Sequence, residues 1–428
     1  MLDIKFIREN PDIVKANIKK KAQDDKLLLV DEFLIRDKEL RDIKGKVDNL
    51  RAERNKLSEE VNKLKKAGKD ASTVLKKVKS IPEEIVELEA EYVKVEQRVN
   101  QILLVLPNMM WIKVPVGKDS TENVELKKGG KIPVFDFPVK THVELAENLG
   151  IVDFDAAAKV AGKGFYYLKG DLALLDQALI RFAIEFMTKK GYTYIEPPLL
   201  LHEKEIFASM DKAAIEQSVY SIKDEDLNLI GTSEQSVLAM HGGDAILESD
   251  LPKKYFAYSM CFRKEVGAHG INEKGLWRTH QFNKVEQFIF CRPEDSEKHY
   301  GELLANNEEM LKALELPYRI IEICTGDLAD WKYRSADIEV WRPTTKEYGE
   351  IISLSNCTDY QARKLNIKCI DKQGNRRVLH TLNDTAIATS RIMVAILENG
   401  QNKDGSVTIP KALQPYMMGL KKIAPKKK

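Results

Sequence analysis

Residues 262–288 read FRKEVGAHGINEKGLWRTHQFNKVEQF, and five of them, Arg263, Glu265, Arg278, Phe282 and Glu286, are of types that could do chemistry together. Guanidinium groups bind phosphate, a ring stacks on a nucleobase, and carboxylates accept from an amine or an exocyclic NH₂. If the two flanks are strands, alternation of faces points Arg263 with Glu265, and Arg278 with Phe282 and Glu286 on the returning strand. Between them Gly267, Gly270 and Gly275 suit a flexible loop able to approach a ligand closely. These are the ingredients of a nucleotide site, although from these residues alone a surface hairpin laced with ion pairs reads equally well. The chain has no G-x-x-x-x-G-K-[ST] loop and no strand-linked G-x-G-x-x-G, so an ATP site would have to be built in another way.

What must position these residues is a large chain of 428 residues, long enough for two domains and a sizeable core. Hydrophobic residues at 43% against 31% charged is a globular balance, and no apolar run approaches the roughly 20 residues that span a bilayer. The opening MLDIKFIRENPDIVK lacks the apolar core of a signal peptide, so a cytoplasmic protein without membrane association is expected. Cys261, Cys291, Cys324, Cys357 and Cys369 have no CxxC spacing, which favours buried reduced thiols over a zinc ribbon or a disulfide framework.

The first 106 residues differ in texture from the rest. Apolar positions alternate by threes and fours through Leu40, Ile43, Val47, Leu50, Leu57, Val61 and Leu64, with Arg54 filling one seam position. They do so again from Val74 through Ile81, Ile85, Leu88, Tyr92, Val95 and Val99 to Ile102. Between the runs, AGKD ends one helix and starts the next. An antiparallel coiled-coil hairpin over about residues 30–104 follows, each helix about 45 Å long at 1.5 Å per residue, a projecting arm based near Pro107. Lysines crowd its tip (Lys63, Lys65, Lys66, Lys69, Lys76, Lys77, Lys79); that pattern fits an ordinary solvated face and also a phosphate-backbone contact.

Beyond Pro107 a turn-rich stretch, PVGKDSTENVELKKGGKIP, leads to a helix from about Asp171 to Lys190. Short aromatic and β-branched runs follow: GYTYIEPP, VYSI, LNLIG, KKYFAYSMCFRKE, HQFNKVEQFIF, YRIIEI and YGEIISLSNC. So many strands joined by turns imply a mainly antiparallel sheet, with helices at Glu294 to Leu314 and Asp384 to Glu398 packed on it. The expected class is α+β: an antiparallel catalytic domain over residues 107–420, flanked by helices, with the helical arm before it and a basic tail at 421–428.

Taken together, these segments resemble one family. FRKEVGAHGINEKGLWRTHQFNKVEQF is similar to motif 2 of class II aminoacyl-tRNA synthetases, in the form F-R-x-E-A-G…G-L-x-R-x-H-Q-F-x-K-V-E found in seryl-tRNA synthetases. GYTYIEPPLL resembles their motif 1, which lies at a dimer interface; LIGTSEQ resembles the T-x-E serine loop, SNCTDYQARKLNI a further signature, and HTLNDTAIATSRIMVAILEN motif 3. Gly231, Ser233, Val266, Gly349 and Ile352 stand where the family commonly has other residues.

The resemblance implies a two-step reaction, in which serine and ATP give seryl-adenylate and pyrophosphate and the seryl group then passes to the 3′ end of tRNA(Ser). Arg263, Glu350 and Arg391 are the implied catalytic residues: Arg263 on the α-phosphate, Arg391 on the γ-phosphate, Glu350 on Mg²⁺ between the phosphates, with Ser353 among the ATP-binding residues. Phe282 would stack on adenine, with Glu265, Arg278, Lys264, Thr279, Ile351 and Ile352 completing the ATP site. Serine would be held by Thr232, Ser233, Glu234 and Glu286, with Asn383 and Thr385 at its hydroxyl. The arm would read the long variable arm of tRNA(Ser) through Lys65, Lys66, Lys76 and Lys77, across a homodimer, with tRNA(Sec) a second candidate substrate. No zinc site is implied, and His241, His280 and His380 read as packed or hydrogen-bonded. Two other classes stay open: an adenylating paralogue with a different acceptor, and a non-catalytic binding protein.

Overall fold

In a computed structural model of the chain, the description covers residues 1–210, 212–266 and 274–425. Gly267 and Gly270 of the expected loop, and the last three lysines of the tail, lie outside the described residues. The chain divides into two compact units, residues 2–107 and residue 1 with 108–428.

The first unit is dominated by two helices, α1 (Leu27–Lys66) and α2 (Ser72–Val105), of 40 and 34 residues. The alternating seam packs as expected: Ile43, Val47, Ile81, Ile85 and Val95 are buried, with Leu40, Leu50, Leu57, Leu88 and Tyr92 around them. Arg54 instead turns out to solvent, since a guanidinium gains nothing between apolar layers. Gly68 ends α1 with φ +68°, a conformation that costs a residue with Cβ, and Asp70 Oδ1 accepts from Ser72 N at 2.9 Å to start α2. All seven lysines around this turn are exposed.

The second unit is built on an eight-stranded sheet: β1 (Val124–Gly129), β2 (Thr193–Ile195), β3 (Lys253–Phe262), β4 (Gln281–Cys291), β5 (Tyr318–Glu322), β6 (Arg334–Arg342), β7 (Glu347–Thr358) and β8 (His380–Ala388). Their order is β1-β5-β6-β7-β8-β4-β3-β2, antiparallel throughout except where β2 runs parallel to β3. The helices α3 (Asp171–Lys189), α4 (Ser233–Ala239), α5 (Ser296–Ala313) and α6 (Thr389–Asn399) pack against it. Both faces are covered. Along β4, Val285 and Ile289 join the core formed with Leu179 and Ala183 of α3 and Ile392 and Ile396 of α6, while Phe288 and Phe290 join Val237 and Leu238 of α4 on the other face. No described helix is long and apolar enough to cross a membrane. The five cysteines are buried thiols.

Several boundaries differ from the sequence reading. Residues 384–388, expected in a helix, complete strand β8, and the helix starts at Thr389. TAIA is buried on both faces, and a short apolar run reads alike as buried strand or buried helix. Glu294 belongs to a 3₁₀ turn before α5. VYSI forms only an isolated bridge, Ser221 to Asn228. β1, within what read as turns, and β6, with its charged residues, are strands that propensity under-weights and that neighbouring strands stabilise.

Candidate active site

β3 ends at Phe262 and β4 begins at Gln281, so Arg263, Glu265 and Arg278 lie in the connection rather than on strands as the alternation implied. Glu265 has φ +52°, which breaks strand geometry at that point. All three nevertheless line one cavity of about 620 Å³. Arg263 is tethered there: its Nε donates to Gly231 O at 3.1 Å and its guanidinium carbon lies 5.4 Å from the Phe282 ring centroid. Arg278 Nη1 donates to Glu265 Oε2 at 2.7 Å.

Phe282, Lys284 and Glu286 share a face of β4, and all three line the cavity. Two bulges bring the neighbouring strands into play. Between Ile338/Glu339 the register of β6 and β7 shifts at Ile351, so Glu350 and Ser353, three residues apart, both reach the cavity. A second shift, at Ala386 in β8, lets Thr385 and Ala388 do the same. Arg391, in the first turn of α6, donates through Nη1 to Glu350 O at 2.9 Å, and the same nitrogen lies 3.4 Å from Glu350 Oε1.

One end of the cavity carries a cluster of buried polar side chains. Asn383 Nδ2 donates to Glu234 Oε2 at 3.0 Å and to Glu286 Oε1 at 3.1 Å, placing two carboxylates side by side. Thr385 Oγ1 donates to Glu286 Oε2 at 3.3 Å, and Gln361 Nε2 to Glu234 Oε1 at 2.7 Å. Lys284 forms an ion pair with Glu286 and donates to Thr232 Oγ1 at 2.7 Å. Burial, reinforced by the adjacent Glu286 carboxylate, pushes the Glu234 carboxyl up to about 7. Asn383 Oδ1 is buried without a hydrogen-bond partner, an acceptor suited to a small donor-rich ligand.

Of the residues expected at the site, Arg263, Glu265, Arg278, Thr279, Phe282, Glu350, Ile351, Ser353, Arg391, Thr232, Glu234, Glu286, Asn383 and Thr385 line the cavity. Three do not. Ser233 is buried and its hydroxyl donates to Ala257 O at 3.3 Å, because the first turn of α4 points it into the sheet. Ile352 is in the core, displaced from the cavity by the bulge at Ile351. The Lys264 N–H is spent on Ser218 O at 2.9 Å. The sequence reading missed Lys284, which the alternation from Phe282 to Glu286 could have found. It also missed Trp277 and Lys332, which carry no such local signal; Lys332 Nζ donates to Ser353 Oγ at 3.1 Å. The three histidines singled out earlier are packed and hydrogen-bonded, His280 to Arg263 O, His241 to Asp244 and His380 to Ser296.

A mainly antiparallel sheet carrying guanidinium groups at its motif 2 and motif 3 positions defines a class II aminoacyl-tRNA synthetase core, and residues 218–400 match the family described as tRNA synthetase class II core domain (G, H, P, S and T). Residues 1–110 match the seryl-tRNA synthetase N-terminal domain. The serine–tRNA ligase of Methanocella arvoryzae is 49% identical over 98% of this chain and 99% of its own, and that of Nitrosopumilus maritimus 42% identical over 99% and 100%. The crystal structure of seryl-tRNA synthetase from Pyrococcus horikoshii complexed with ATP superposes with a TM-score of 0.95 at 42% identity, covering 100% of both chains. The chain belongs to the seryl-tRNA synthetase family, and is an ATP-dependent ligase of class II.

Proposed function

We propose that the cavity performs both steps of serine attachment: the serine carboxylate attacks the α-phosphorus of ATP, pyrophosphate leaves, and a 3′-terminal ribose hydroxyl of tRNA(Ser) then takes the seryl group and releases AMP. The observation that carries this reading is the Asn383 amide bridging Glu234 and Glu286, with Thr385 on the same carboxylate. That end offers carboxylates to an ammonium and hydrogen-bonding groups to a hydroxyl. A site built this way disfavours alanine, which leaves buried groups unpaired, and threonine, whose methyl has to be overpacked.

The first step needs positioning and charge neutralisation more than a protein base. Arg263, held by Gly231 and Phe282, meets the charge that develops at the α-phosphate, with adenine on Phe282 between Glu265, Arg278 and Thr279; Arg391 takes the terminal phosphate. Glu350 and Ser353 offer one carboxylate and one hydroxyl from the same wall, a sparse oxygen donor set that fits Mg²⁺ held largely by substrate phosphates. When bound, Mg²⁺ neutralises phosphate charge. Serine-dependent ATP–pyrophosphate exchange, run against threonine, alanine and glycine, tests the assignment; no exchange with any of them, in folded ATP-binding protein, would overturn it.

Glu234 gives the pocket a pH dependence. An entering ammonium favours the ionised carboxylate, so serine binding releases the proton that Glu234 holds below about 7. The KM for serine should fall as pH rises from about 6 towards 7, by up to about tenfold per unit, and level off above. A Glu234→Gln enzyme with the same pH profile as the wild type would contradict this.

The helical hairpin serves tRNA binding in this reading, its exposed Lys65, Lys66, Lys76 and Lys77 meeting phosphates of the long variable arm, in a cytoplasmic homodimer that serves tRNA(Ser) and, as a second candidate, tRNA(Sec). Replacing all four with alanine is expected to raise the tRNA KM roughly tenfold and to flatten its salt dependence, at unchanged exchange rates. Unchanged tRNA KM and salt slope would remove the arm's tip from the interface.

A further inference from the structure

A second cavity of about 290 Å³ opens beside the first, and Trp277, Arg278, Glu350 and Arg391 line both. Among the residues it adds is Arg342, at the end of β6. Its guanidinium carbon lies 4.3 Å from the Trp277 ring centroid, and that of Arg391 lies 5.7 Å from the same ring. The platform is fixed from beneath: a Cβ on Gly349 would come within 2.4 Å of the Trp277 ring, so the indole rests directly on the β7 backbone. Two guanidinium groups are thus gathered on one indole, with a third, Arg278, in the same wall, against the carboxylates of Glu347 and Glu350.

An ion-pair role does not use up Arg342. Its Nη2 stands 3.6 Å from Glu398 Oε1, but Glu398 is already served by His142 Nδ1 at 3.1 Å and Thr344 Oγ1 at 2.8 Å. Its Nε is buried with no hydrogen-bond partner. The Nη edge of this planar fork, oriented by stacking and lining a cavity that continues from the phosphate-binding end of the first, matches a phosphate oxyanion; the buried Nε does not reach it.

We propose that this annex holds the terminal phosphates of ATP and the pyrophosphate that leaves, with Arg342 as an additional phosphate-binding residue. As the carboxylate–phosphorus bond forms and the bond from the α-phosphorus to the bridging oxygen breaks, the electron pair passes to the pyrophosphate oxygen, and Arg342 meets that charge beside Arg391. The proposal rests on the serine-activating reading above.

Equilibrium binding of ATP and of AMP to the full chain, with pyrophosphate-dependence of the exchange reaction, tests it. Arg342→Gln should weaken ATP and pyrophosphate about tenfold while AMP and the KM for serine stay put, since among contacts to ligand only the charged hydrogen bonds to the terminal phosphates are lost. Equal losses for ATP and AMP, or no loss for either, would overturn it. Arg342→Lys keeps a cation beside Glu398 and covers the case in which the glutamine variant does not fold: about a threefold loss for ATP alone is expected, and unaltered ATP affinity overturns the proposal. Absence of serine-dependent exchange in the wild type would instead sink the underlying reading, while the ATP-to-AMP contrast would still report on the annex.

Discussion

Glu286→Ala is expected to lower serine-dependent pyrophosphate exchange by about 10³-fold or more, because it reverses the charge that serine meets. Glu286 is 2% exposed and neutralises Lys284, which is 5% exposed. Removing the carboxylate strands a buried cation where the serine ammonium has to sit. At an effective dielectric of about 20, two unit charges some 4 Å apart interact by about 4 kcal/mol, so the attraction lost with the carboxylate is itself of the size that an effect of about 10³-fold needs, and the repulsion from the stranded cation adds to it. The fold suffers too, since breaking a buried ion pair from one side costs about 3–5 kcal/mol. The double variant Glu286→Ala with Lys284→Met separates the effects: relieving the stranded charge should restore thermal stability but little exchange, because the ammonium still lacks its partner. Wild-type exchange in Glu286→Ala would remove this residue from the serine site.

Arg263→Ala should reduce the rate of adenylation about 10²–10³-fold, the range seen when one preorganised donor to developing charge is deleted. The backbone around it is secured independently, Arg263 N donating to His280 O at 2.9 Å, so the truncation removes a side chain without releasing the loop. What disappears is a guanidinium held by Gly231 O and Phe282 at the mouth of the buried polar end. Arg263→Lys should recover only part of the rate, because an ammonium neither stacks on Phe282 nor presents two parallel donors. AMP binding should change little in either variant. An unaltered rate, or a loss confined to adenine binding, would move Arg263 out of the α-phosphate role.

The two carboxylates of the serine end differ in how they could be known beforehand. Glu286 was legible, since it shares strand parity with Phe282 and belongs to a charged motif. The elevated protonation of Glu234 was not, because it comes from burial in the folded chain and then from Glu286, brought beside it by the pairing of β4 with β8 and by the Asn383 amide. Arg342 was similarly illegible: its neighbours Trp277 and Glu398 are 65 and 56 positions away and its role depends on stacking.

By itself the sequence determined the helical hairpin, the antiparallel sheet, the family resemblance and most of the charged residues of the site. These follow from local periodicity and from short motifs, in which residue type and spacing carry the physics. Only the tertiary structure decided which of those residues reach the cavity. The bulges at Ile351 and Ala386 change side-chain parity within β7 and β8, so Glu350 with Ser353, and Thr385 with Ala388, come to one face while Ile352 is turned into the core. A bulge is a mismatch between two paired strands, and no single segment contains it.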